Sequence, residues 1–387
     1  MHHGFIRLLA PACIAVVCVI LTLGLWPFHT PANEVTWSKE GDGVVLGQWA
    51  TILGSGLLDR SSSDGVTIEI WAQPDRRTSG TLLSLYRKDV VLFTVDQSLD
   101  DLRVDLDRTV GPAENKHFYV GDAFGPSLRR KAPVFLSIIS GSAGTHVYLN
   151  GTLSMTASNF SIPLEALSGR LIVADSPGQC DSFRGTLLGL AIYGSELSAD
   201  EVSRHYETWT RNGQPVIEPS EHNIALYLFN EGRGKIIRNL ASTSGDLEIP
   251  EKYIVVDKIV LEPFWREFNF SRGYWSGNLK NIVGFVPVGF FFYAYFLIAR
   301  PTWRPVLITI AFGTLLSIAI EVLQVFLPTR DSGTTDIITN TIGTWLGVLL
   351  YRRTYAYLVK ILPGLGSLTF TAATPEASWK RPPNCSS

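Results

Sequence analysis

The sequence predicts a multi-domain protein: an all-β jelly-roll sandwich combined with a four-helix α transmembrane module. Three observations predict it. Apolar runs long enough to cross a bilayer stand at the N-terminus and near the C-terminus, whereas charges crowd residues 34 to 280. That charged middle is made of short apolar or alternating runs parted by turn signals. Of the 387 residues, 18% are charged and 46% hydrophobic, which suits a chain that is part soluble and part membrane. The formal net charge of -2 lacks the basic excess of a nucleic-acid-binding surface, so that partner is excluded.

Residues 1–30 read as the first transmembrane helix. Leu8 to Phe28 is apolar or neutral and follows Arg7; about 20 such residues cross a bilayer. A cleaved signal peptide is the alternative, but the run is long for one and no A-x-A site follows it. A lipoprotein anchor at Cys13 fits less well, because the apolar run continues past it. Cys13 and Cys18 lie in this run, Cys180 is alone in the middle and Cys385 is in the tail. They offer no disulfide pair within one compartment and no metal-binding CxxC, so the soluble domain must be held by its core.

Residues 34–245 read as the β-domain. Val66–Trp71, Thr81–Tyr86, Val90–Val95, Val134–Ile139, Thr145–Leu149, Leu171–Ala174 and Leu187–Tyr193 are strand candidates. Asn150-Gly151 is a two-residue hairpin turn, since both residues tolerate positive φ. One helix interrupts the pattern, where Ser198-Ala-Asp-Glu201 forms a capping box opening Asp200 to Trp209. Many strands and one short helix suggest a two-sheet jelly roll. Glu69 reads as a solvent-facing strand residue. Asp96, Asp100, Asp101, Asp105 and Asp107 could hold calcium, but a solvated strand-and-loop region is the leading reading; no cofactor is assigned.

Residues 246–280 read as an aromatic interfacial linker. Leu261–Phe270 and Tyr274-Trp275 interleave rings with charges, and such rings favour the headgroup zone of the outer leaflet. Residues 281–353 hold three more spans, at Ile282–Ala299, Val306–Leu327 and Ile337–Tyr351, the last extendable back through Thr334. Residues 354–387 form a tail. Arg7, the Arg300–Arg304 turn and Arg352-Arg353 place both termini in the cytoplasm and the large domain outside. Arg266, Arg272 and Lys280 count against this, though long loops follow the rule poorly.

The membrane region carries the candidate site: Asn281, Glu321, Gln324, Arg330, Asp336 and Asn340. Glu321 and Gln324 share one helical face, as do Asp336 and Asn340. A carboxylate within a span costs several kcal/mol unless paired, protonated or hydrated. Glu321 must therefore face the bundle interior or a wet cleft, with Gln324, Asn340, Asn281 and Arg330 as its natural partners. Polar glue between helices and a functional cleft at the outer leaflet are both open readings. Gly343 and Gly347 form a G-x-x-x-G that lets another helix approach closely.

Two resemblances follow from these residues. Gly65–Pro74, His146–Gly151, Phe183–Tyr193 and Leu197–Val202 resemble, in order and spacing, the laminin-G-like, concanavalin A-like sandwich superfamily. That resemblance implies a glycan- or protein-binding fold; the E-x-D-x-x-E of its glucanase relatives is missing, because Glu69 is followed by Ile70, Trp71 and Ala72. Lys280–Gly289, Ser317–Gln324, Pro328–Arg330 and Asp336–Gly343 resemble the VanZ-like membrane family. With Asp257-Lys258 similar to that family's connecting segment, the sandwich becomes an insertion after its first helix. The family is associated with low-level teicoplanin resistance and has no generally assigned reaction.

These readings together describe a multi-pass protein of a bacterial inner membrane, with an extracytoplasmic sandwich and cytoplasmic termini. Its partners are the bilayer and an envelope glycan, lipid headgroup or protein ligand, with a role in envelope biology or glycopeptide tolerance. The alternative is a membrane enzyme acting on a lipid-linked envelope substrate through an intramembrane carboxylate as general base, although no nucleophile or metal set completes it and no catalytic residue is assigned.

Overall fold

The computed structural model describes residues 2–39, 41–57, 65–87, 90–107, 117–177, 182–242 and 244–361. Cys180, Cys385 and most of the expected 354–387 tail lie outside them. The chain divides into two compact units: residues 1–29 with 259–387, and Thr30–Lys258.

In the second unit the strands are β1 Val35–Trp37, β2 Val44–Leu46, β3 Ile52–Leu57, β4 Val66–Pro74, β5 Ser79–Arg87 and β6 Val90–Ser98. They continue as β7 Asp101–Leu106, β8 His117–Val120, β9 Val134–Gly141, β10 Gly144–Leu149 and β11 Thr152–Ala157. The last are β12 Arg170–Val173, β13 Gly185–Tyr193, β14 Asn223–Tyr227, β15 Ile236–Ile237 and β16 Leu247–Glu248. Two helices join them, α2 Gly125–Arg130 and α3 Ala199–Asn212. The first sheet runs β1-β2-β13-β4-β9-β10-β11, with β14 also paired to β13; the second runs β15-β16-β3-β12-β5-β6-β7-β8. The strand pairs within each sheet are antiparallel.

Alternation builds the core between the sheets. Val66, Ile68, Ile70 and Ala72 of β4 are fully buried there, facing Phe93, Val95, Leu102 and Val104 of the second sheet. The hairpin β10–β11 turns at Asn150-Gly151 with φ of 50° and 75°, as the turn chemistry requires.

The helix α3 explains a correction. Glu69 is not solvent-facing: it is wholly buried. The outer face of the first sheet is covered by α3, whose Val202 and Trp209 pack with Phe135, Ile139, Ala191, Tyr193 and Leu197. The helix opens with the expected capping box at Ser198 and Glu201 and closes on Gly213 in the left-handed region. A second correction concerns the boundary at 245. Strand β16 pairs with β3, and Ile249 and Tyr253 are buried, so this unit continues to Lys258.

The other unit contains α1 His2–Leu25, α4 Phe264–Glu267, α5 Arg272–Ala294, α6 Pro305–Gln324 and α7 Thr334–Ile361. A π-helical turn, Tyr295–Ala299, prolongs α5. The helix α5 starts ten residues before the expected Ile282, because Ser271 caps it by accepting from the Tyr274 amide. The segment Leu8–Leu25 and the helices Arg272–Ala299 and Pro305–Gln324 have the length and apolar composition to cross a membrane. The 28-residue α7 continues to Ile361, past the expected end at residue 353.

The small-residue expectation takes a specific form against α5. A Cβ on Gly343 would lie 2.2 Å from the Ile282 carbonyl oxygen, and one on Gly347 2.1 Å from that of Val286. A Cβ on Gly289 of α5 would meet the Thr344 oxygen of α7 at 1.9 Å. The two backbones touch where only glycine fits.

Candidate functional site

At one end of the helix bundle the C-termini of α1 and α6 meet the starts of α5 and α7. The six expected residues gather there but separate into two tasks. Gln324 donates from Nε2 to the Gly24 carbonyl at 2.9 Å. Arg330 donates from Nε to the Trp26 carbonyl at 2.9 Å and from Nη2 to that of Leu23 at 3.3 Å. Both therefore serve the end of α1, whose last carbonyls lack intrahelical donors and carry partial negative charge.

The others serve α7. Glu321 is buried and accepts from the Gly333 amide at 2.9 Å. Asp336 takes a side-chain hydrogen bond from Asn281. Asn340 donates from Nδ2 to the Ser317 hydroxyl of α6 at 2.9 Å. The Glu321 bond comes from a backbone amide, a donor that the expected side-chain partners had not included. Orphan amides at a helix start favour carboxylates.

Sequence reasoning missed Glu267. Its Oε2 accepts from the Thr335 amide at 2.9 Å and from the Thr335 hydroxyl at 2.5 Å. Around it, residues 261–262 are tied to the turn before α7. Ser332 receives at its carbonyl the Glu262 amide at 2.8 Å, and the Glu262 carbonyl accepts from the Thr334 amide at 2.8 Å. The aromatic linker is thus held by the protein itself. Its rings, Phe264, Trp265, Phe268, Phe270 and Trp275, remain exposed and make edge-on contacts with one another or with Tyr274. The signal available was Glu267 itself, an acid set among rings and followed by an exposed capping serine.

The sandwich holds a second polar array on the outward face of its second sheet. Across the strands, Thr81 faces Asp96, Asp96 faces Arg103 and Arg103 faces Tyr119. One step along, Thr94 faces Asp105 and Asp105 faces His117. Arg103 pairs with Asp105, donating from Nη2 to Oδ1 at 2.8 Å with Nε 2.7 Å from Oδ2, and its guanidinium lies 5.8 Å from the Tyr119 ring centre. Asp96 differs from its neighbours. Its Oδ2 accepts from the Thr94 hydroxyl at 3.0 Å, while among the described residues its occluded Oδ1 has no hydrogen-bond partner. Burial pushes its carboxyl up to about 6, against the opposing pull of the Thr81 and Thr94 hydroxyls.

The five aspartates read as a calcium possibility do not converge. Asp100 pairs with Arg77 at 2.6 Å, Asp101 accepts from the Asp122 amide at 2.9 Å, and Asp105 is held by Arg103. Among the described residues no group of three or more His, Cys, Asp or Glu is placed to hold a metal ion.

Comparison with known proteins adds the following. Residues 222–358 match the VanZ/LLP1 family model, and residues 42–203 match that of the concanavalin A-like lectin/glucanases superfamily. The VanZ/LLP1 match begins inside the sandwich unit, at the turn before β14. No curated protein matches the sequence. Among solved structures, a candidate carbohydrate-binding protein from Bacteroides ovatus is 10% identical with a TM-score of 0.36, over 59% of this chain and 62% of that one. A SAP-like pentraxin from Limulus polyphemus is 13% identical with a TM-score of 0.33, over 58% of this chain and 94% of that one. The binding domain of botulinum neurotoxin serotype D is 12% identical with a TM-score of 0.32, over 49% of each chain. The chain thus spans less than two thirds of the Bacteroides ovatus protein and about half of the toxin domain.

Proposed function

We propose that this chain, which joins a concanavalin A-like sandwich to a VanZ/LLP1 helical region, is a bacterial inner-membrane protein whose extracytoplasmic sandwich captures an envelope glycan. The polar end of its helix bundle engages lipid headgroups, and both termini are cytoplasmic. The role is in envelope biology, of the kind that tolerance to glycopeptide antibiotics draws on.

One observation carries the reading. Asp96 is kept on an outward sheet face at an electrostatic cost, with one oxygen unpartnered among the described residues, beside the Arg103–Asp105 ion pair and the exposed Tyr119 ring. Carboxylate, guanidinium and aromatic groups on one surface suit a ligand rich in hydroxyls, which donates to the acids, accepts from the arginine and lays its C–H face on the ring. Groups held away from their preferred protonation state are candidates for binding. A protein ligand is the other occupant such a fold admits, and the array favours the glycan.

At the bundle end, Glu321 and Glu267 accept amides of the α7 start, which favours headgroup binding over proton abstraction from a substrate. The exposed rings of residues 264–275 provide the apolar side of a headgroup-level surface.

The test is glycan-array binding by the full protein in nanodiscs. A D96A/R103A double variant should lose glycan capture, and E321Q should keep it while releasing co-purifying lipid in native mass spectra. Unchanged capture by the double variant would remove the sandwich half of the proposal. Unchanged lipid retention by E321Q would remove the headgroup half.

A further inference from the structure

A second buried polar cluster of the sandwich has no part in that function. His205 of α3 lies between two carboxylates. Its Nδ1 is 3.0 Å from Glu69 Oε2 on β4, and its Nε2 is 3.0 Å from Glu221 Oε2 on the turn Pro219–Glu221. Glu69, His205 and Glu221 are all at most 1% exposed. The Tyr193 hydroxyl of β13 donates to the same Glu69 oxygen at 3.0 Å, and its ring stacks on the imidazole at 5.5 Å. Ser137 of β9 donates to the other Glu69 oxygen at 3.4 Å. Arg204 of α3 pairs with Glu221, and Glu201 of the same helix bears on His205 electrostatically.

A carboxylate only accepts hydrogen bonds, so a ring nitrogen facing one must donate. Both nitrogens face one here, and only the imidazolium donates from both. With it, Glu69, Glu221, His205 and Arg204 sum to zero charge. Without it, the set carries one net negative charge around a buried Glu69–His205–Glu221 centre, and a ring lone pair confronts a carboxylate oxygen at 3.0 Å. An uncompensated buried charge is strongly destabilising.

We propose that this cluster is a proton-gated latch: the charged imidazole holds α3 on the first sheet, and its loss of a proton to water releases the helix. The release bares the apolar surface of Phe135, Ile139, Tyr193 and Leu197 that Val202 and Trp209 cover. Burial by itself pushes the imidazolium down, but the hydrogen bond and charge of Glu69 and the charge of Glu221 outweigh it and raise it above the ordinary histidine value. The native group therefore holds its proton more tightly than the unfolded one. The stability it supplies is complete below the unfolded value and drains away as pH rises through the native one.

The test is hydrogen exchange of the full-length protein in detergent from pH 6 to 9, corrected for base catalysis. Protection of residues 199–212 should fall by up to about tenfold for each pH unit between the ordinary histidine value and the native midpoint and level off above that midpoint, while β4 and β9 keep theirs. H205Q should show reduced and pH-independent protection of α3. Should H205Q not fold, a carbon-13 titration of the wild type decides instead: one of its seven histidines should titrate above the ordinary range. Flat protection of α3, loss of helix and strands together, or seven ordinary histidines would each overturn the latch.

Discussion

Charge is buried in both units of this protein, by different means. In the sandwich, Glu69 and Glu221 are met by side chains of opposite charge, His205 and Arg204. In the helical unit, Glu321 and Glu267 are met by amides at the start of α7, and Arg330 by carbonyls at the end of α1. A sheet interior has no spare backbone donors, because every ladder amide is used by its neighbour strand. Helix ends leave four unused groups each, already polarised in the right sense. A buried acid on a sheet therefore needs a counter-charge brought by another element, whereas one beside a helix start needs only that start.

This contrast ranks the expected losses. His205→Ala should be the costliest change, since it leaves two buried carboxylates opposed by one arginine; breaking such a set costs about 3–5 kcal/mol. Calorimetry of the full chain in detergent would show the sandwich transition falling by many degrees, and a shift under two degrees would contradict the account. Glu321→Ala removes one acceptor and leaves the buried Gly333 amide without it, so about 1–3 kcal/mol is expected. Denaturation of the helical unit in mixed micelles would measure it, and a loss matching that of His205→Ala would erase the distinction.

Asp96 is the intermediate case, a carboxylate with one oxygen satisfied. Its folded value near 6 exceeds the ordinary 3.8, so the folded state binds the proton more tightly. Ionisation thus costs stability as pH rises between those values, and the cost stays above them. Asp96→Asn should raise stability at pH 7 by up to about 2 kcal/mol, after allowance for solvent screening. It should also flatten the stability profile between pH 4 and 6, and a steeper profile would refute the assignment. Arg330→Ala should have the smallest effect, about 0.3–1 kcal/mol for a partly exposed cation at a helix terminus. Proteolytic sensitivity just after residue 25 would report it, and no change there would mean that Gln324 alone secures the end of α1.

The same contrast explains what the sequence could convey. Strands with alternation, such as β4, or a bounded apolar run, such as β9, were legible, as was the capping box of α3. The short strands β1, β2, β15 and β16 were not, because two or three residues carry no period. Glu69 was misread for a physical reason: alternation says only that β4 has two faces, not that both are covered. The signal lay elsewhere, in the apolar face of α3 with Val202 and Trp209, which had to dock on some sheet. In the bundle, the shared faces of Glu321 with Gln324 and Asp336 with Asn340 were legible from helical spacing. That one pair's members would divide between the end of α1 and the start of α7 was not, since it depends on which helix ends meet. Glu267 escaped notice because it lies outside any apolar run.

The contact between α5 and α7 bears on how this gene can vary. At Gly289, Gly343 and Gly347 the opposing atom is backbone oxygen about 2 Å from where any Cβ would stand. Every missense change at those codons adds that carbon, so none is conservative, and a neighbouring side chain cannot step aside to compensate. Exposed positions of the same helices, such as Val283 and Leu350, can drift among apolar residues freely. Variation within this module should therefore be strongly uneven along each helix, with three codons close to immovable beside others that tolerate nearly any greasy substitute.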